Sequence, residues 1–117
     1  MERVREALQR ICNADLDSST LRYEVAALVR RAIPFDAWCC STADPQTHLV
    51  SSVVAENPAL RDLQRFFTIE YGEADLNCQL NLARGKPAMG SLSETATGDL
   101  RRSTRWREIL GPAGLGD

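Results

Sequence analysis

Cys39 and Cys40 stand side by side and His48 follows eight positions later, across a turn that Asp44 and Pro45 would make. A thiol needs a nearby base to raise its thiolate fraction, so this trio could in principle support cysteine chemistry. The spacing is not that of a nucleophile with a resolving partner, and a lone histidine beside a turn is an ordinary surface residue. Cys12 and Cys78 add no C-x-x-C pair, and with one histidine in the chain neither a zinc site nor a secreted disulfide framework is expected. The residue types predict no catalytic group, no metal and no cofactor.

A second cluster gathers four cations in seven residues: Arg101, Arg102, Arg105 and Arg107, with Asp99 and Glu108 nearby. Guanidinium forks hold anions in bidentate fashion, so Arg101, Arg102 and Arg105 form a candidate anion site. The competing reading is a solvated helix face paired with acids elsewhere. Trp106, on the same short segment, is expected to anchor it to a sheet. The formal net charge of −2 gives no global attraction to nucleic acid, so direct DNA binding by this chain is not expected.

The elements that would position these groups follow from apolar spacing. Val4, Ala7, Leu8, Ile11 and Cys12 recur at helical intervals, predicting an amphipathic first helix. The polar run 15–20 interrupts it and offers Ser18 or Ser19 as cap of a second helix, in which Leu21, Val25, Leu28, Val29 and Ala32 form the stripe. Pro34 ends that helix near Arg31, and residues 35–42 and 48–55 read as the strands of a hairpin. Asn57 and Pro58 then predict a third helix over 58–69. Asp75 is the expected cap of a fourth helix that stops at Gly85. Residues 88–92 suit a short strand, and Ser103 caps a last helix over 104–110. The mixture is α+β, in one domain over residues 1–117.

Three elements together, Ile33-Pro34-Phe35-Asp36-Ala37-Trp38, Asp44-Pro45-Gln46-Thr47 and Arg101 to Asp117, resemble the GAF-like sensor region that precedes the helix-turn-helix of LuxR-type bacterial transcriptional regulators. The resemblance implies a GAF/PAS-like antiparallel sheet flanked by helices. The chain covers the first part of such a domain, so the C-terminal strands and the helix-turn-helix are expected to be absent from it. It also implies a small-molecule pocket, to which Trp38 and Cys40 would contribute from one strand face, with Phe67, Tyr71 and Met89 as walls. In such modules the N-terminal helices commonly pair two copies, which makes Val4, Leu8, Ile11 and Leu28 candidates for a homodimer interface. The function so implied is a non-catalytic regulatory sensor. The alternatives are a standalone interaction module pairing through its helices or open sheet edge and, behind it, a cysteine-based redox enzyme. With no apolar run long enough to span a bilayer and a charged start at Glu2-Arg3-Val4-Arg5-Glu6, no membrane association is expected and a cytoplasmic location is.

Overall fold

The computed structural model describes residues 1–117 and divides into two units, 1–57 and 58–117, each with its own packing. Its elements are helices with a single two-stranded antiparallel sheet, an α+β composition. No helix is long and apolar enough to cross a membrane.

In the first unit, helix α1 (Glu2–Cys12) turns its apolar stripe against α2 (Ser18–Ala32), leaving Val4, Leu8 and Ile11 half-buried. The cap of α2 is Asp17 rather than Ser18 or Ser19. Its carboxylate accepts the Thr20 amide at 3.0 Å and the Thr20 hydroxyl at 2.7 Å, and ionised it also suits the positive end of the helix dipole. The helix stops at Ile33 in an extended conformation, as the following proline requires.

Strand β1 (Trp38–Ala43) pairs with β2 (Val50–Glu56), Cys40 facing Val54 and Thr42 facing Ser52, with a bulge beside Thr42 and Ala43. The second strand begins two residues later than its composition suggests. His48 takes a left-handed φ of 58° in the turn, where Asp44 collects the amides of Gln46 and Thr47 and the Thr47 hydroxyl. Only Arg22 and Val54 are buried in this unit.

The second unit is helical. A 3₁₀ turn (Pro58–Arg61) breaks at Leu60, and α3 (Leu63–Gly72) restarts behind it, so the single helix expected over 58–69 is two pieces. The cause is local: the Asp62 side chain accepts the Arg65 amide at 2.9 Å and caps a new helix. Helix α4 (Gln79–Arg84) follows, capped at Cys78 and not at Asp75.

The strand expected at 88–92 does not form. Ser91 caps a one-turn helix, α5 (Leu92–Thr95), by accepting the Glu94 amide. Ser91-Leu92-Ser93-Glu94 is a capping-box sequence, a helix signal stronger than the apolar content of Met89 and Leu92 is a strand signal. A 3₁₀ turn (Leu100–Arg102) leads to Ser103, whose hydroxyl accepts the Trp106 amide, and to α6 (Trp106–Leu110), a π-type helix.

The core of this unit is Ala59, Ile69 and Ile109, with Phe66, Leu110, Ala113 and Leu115 packed around them. Ile69 has no exposed surface, and burying such a side chain contributes about 1.5–3 kcal/mol.

Candidate functional site

The face of β1 that carries Trp38 and Cys40 is the face that meets α2. Trp38 packs edge-to-face on Tyr23 with ring centroids 5.4 Å apart. Arg22 lies beside this contact and is 9% exposed. Its Nε donates to the Ser18 carbonyl, one terminal nitrogen to the Cys40 carbonyl at 3.0 Å and the other to the Ser52 hydroxyl at 3.0 Å. Trp38 and Cys40, expected to line a pocket, lie on the side of the hairpin that packs on α2. Alternation along β1 puts Cys39 and Ser41 on the other face.

The thiol and imidazole are not juxtaposed. Cys39 and Cys40 pair with Ala55 and Val54, whereas His48 sits in the turn beyond the Ala43–Val50 pair. Cys40 and Ala43 are three residues apart, about 10 Å at the usual strand rise. No group of three or more His, Cys, Asp or Glu side chains is gathered to hold a metal ion.

In the second unit, Phe67 and Tyr71 stack one turn apart on α3, with centroids 5.9 Å apart and planes 16° from parallel. Tyr71 is 46% and Met89 73% exposed. These two expected pocket walls are largely solvent-facing. Phe67 and Tyr71 come together; Trp38 and Cys40 belong to the other unit.

The arginines of the candidate anion site engage partners within the protein. Arg101 pairs with Asp99 at 2.9 Å, and the Arg102 guanidinium donates to the Thr97 hydroxyl. Arg105 turns inward to Glu70 at 3.0 Å, with side-chain exposures of 11% and 1%, and donates also to the carbonyls of Leu76 and Asn77. Each arginine of the segment thus has its own set of partners.

Around the Glu70–Arg105 pair is a polar network that the sequence pattern did not reveal. Glu70 also accepts the Gln79 amide, and Asp75 accepts the Ser103 hydroxyl and the amides of Thr104 and Arg105 at about 3 Å. Burial alone would raise the Asp75 pKa; the amides of Arg105, Leu76 and Thr104 and the Ser103 hydroxyl outweigh it and hold the carboxyl below its ordinary range. Asp75 is thus a cap, but of the last helical segment. Burial pushes the neighbouring Cys78 thiol up, away from reactivity.

The unit that holds Trp106 contains no sheet for it to anchor. The Trp106 indole Nε1 donates to the Leu115 carbonyl at 3.1 Å and ties the C-terminal loop back onto α6. There Asp117 accepts from the Ser91 and Ser93 hydroxyls and the Leu92 amide, and the two hydroxyls lead in pulling its pKa down to about 2.

The dimer candidates Val4, Leu8, Ile11 and Leu28 are each half-buried where α1 and α2 pack within the unit.

The second unit also carries an open groove of about 420 Å³. Pro58, Ala59, Ile109, Pro112 and Ala113 form its apolar lining, and Arg61, Asp62, Arg65 and Glu108 its polar one. Arg65 is spent within the protein: it bridges Glu73 and Glu108, and those two carboxylates, Glu73 first, raise its pKa. The apolar spacing that predicted α3 gave no sign of this groove, because it depends on α6 folding back beside the 3₁₀ turn.

Comparison with protein-family models, with curated proteins and with solved structures gives no match.

Proposed function

We propose that the chain is a non-catalytic regulatory module of the GAF-like kind found in LuxR-type regulators, one that responds to a small molecule and pairs with a second copy of itself. The observation that carries this reading is the α1–α2–β1–β2 unit. A hairpin is covered on one face by α2, and its sheet has no third strand. An isolated two-stranded sheet is marginal in water, so such a unit gains stability by adding strands or copies. The order of these elements is the order that the resemblance implies. The separation of His48 from both strand thiols favours regulation over thiol catalysis.

In this reading the ligand acts by population shift. It favours one arrangement of the helices over another, and by no more than its difference in affinity for the two.

The test is sedimentation velocity of the full chain between about 1 and 100 μM, the range in which self-association becomes visible as a concentration-dependent mass. A species of twice 13.0 kDa that grows with concentration is expected. A strict monomer throughout, with cooperative unfolding, overturns the pairing part of the proposal.

A further inference from the structure

The groove of the second unit has a feature beyond its size. Its formal charges balance, with Arg61 and Arg65 against Asp62 and Glu108, yet the balance is not achieved by pairing everything internally. Arg65 occupies one oxygen of Glu108, Oε2, through both its Nε and a terminal nitrogen, and it occupies Glu73 with the other. Asp62 spends Oδ1 on the Arg65 amide. Asp62 and Glu108 thus each engage Arg65 through a single carboxylate oxygen, and Arg61 enters no ion pair. One cation outside any ion pair and the carboxylates of Asp62 and Glu108 thus border a floor in which Ala59 and Ile109 are both 6% exposed.

We infer that this groove binds a small zwitterion, a free α-amino acid with an aliphatic side chain. Its carboxylate would meet Arg61, its ammonium the carboxylate of Glu108 or Asp62, and its side chain the floor of Ala59, Ile109 and Pro112. A ligand carrying only one charge would satisfy one sign of the lining and repel the other, whereas a dipolar ion matches both. The volume is within the range of small-molecule sites, and the mixture of an apolar floor with a few polar groups is the usual lining of one. The assignment supplies the ligand class for the sensing role proposed above. Its regulatory meaning rests on that reading; the binding itself does not.

The experiment is calorimetric titration of the full chain with three probes: L-leucine, its decarboxylated amine isoamylamine, and its deaminated acid 4-methylpentanoate. Leucine is expected to bind saturably, with each single-charge analogue at least about tenfold weaker, the loss of one charge-assisted contact. Arg61→Glu and Arg61→Gln alter an exposed, unpaired side chain, so both should keep the wild-type melting curve while weakening leucine about tenfold or more. Amide shift changes should centre on residues 59–65 and 108–113. No saturable leucine binding at about 10 mM, where a millimolar site would be filled, overturns the inference. So does equal binding of the acid alone, or leucine affinity unchanged in both Arg61 variants. If leucine fails to bind while the chain still dimerises, this inference falls and the pairing reading stands. If leucine binds as described and leaves self-association unaltered, the site stands and its coupling to pairing falls.

Discussion

Replacing Arg105 with leucine would test the polar network of the second unit most severely. The Glu70 carboxylate has 1% exposure and two partners, the Arg105 guanidinium at 3.0 Å and the Gln79 amide. Arg105→Leu removes the only cation facing it and also strips the Leu76 and Asn77 carbonyls of a donor. Breaking one side of a buried ion pair costs about 3–5 kcal/mol, because the remaining charge stays out of water without compensation. With a urea dependence of roughly 2 kcal/mol per molar for a small domain, the unfolding midpoint should fall by about 2 M. The assay is urea denaturation followed by far-UV circular dichroism and by Trp106 fluorescence in a Trp38→Phe background. Glu70→Gln combined with Arg105→Leu removes both charges and should recover at least about half of the loss, since an unpaired neutral amide costs less than an unpaired carboxylate. An Arg105→Leu variant within about 1 kcal/mol of wild type would refute the claim that this pair is desolvated and structural. If that variant is unfolded without denaturant, the double variant decides: failure of Glu70→Gln to restore folding would be equally damaging.

Asp75→Asn should cost about 1–2 kcal/mol at neutral pH, as loss of a charged helix cap does. Because the folded-state pKa of Asp75 lies below its unfolded value, that contribution is present above the unfolded pKa and is lost as pH falls through the folded one. The gap between wild type and variant in thermal melts should therefore close below about pH 4. Arg22→Met is expected to change stability by less than Arg105→Leu does, within about 1 kcal/mol, since the three hydrogen-bond partners of Arg22 are neutral and no carboxylate is stranded; a loss as large as that of Arg105→Leu in the same urea assay would contradict this. Gly111→Ala should destabilise by about 1–3 kcal/mol, because a Cβ there would lie 2.9 Å from the Trp106 carbonyl oxygen and 3.2 Å from its ring. A wild-type melting temperature for that variant would show that α6 can shift to admit a methyl group.

Apolar spacing and turn chemistry alone determined the elements whose causes are local. Helices α1 and α2, the stop before Pro34, the Asp44 turn and the Ser103 cap depend on residues a few positions apart, and each was legible. Elsewhere a competing local signal wins: Asp62 restarts α3, and the Ser91 to Glu94 capping box makes α5 where apolar content suggests a strand. The site residues were less legible, because a side chain's partner is chosen over long sequence distances. Nothing near Arg105 announces Glu70, thirty-five positions away, and nothing near Asp75 announces the amides of Thr104 and Arg105. Nor does the strand pattern say which face of β1 will receive α2, since alternation defines two faces without ranking them. The tertiary structure made those decisions, and with them it drew Trp38 and Arg105 into packing and left the Arg61, Asp62 and Glu108 groove open.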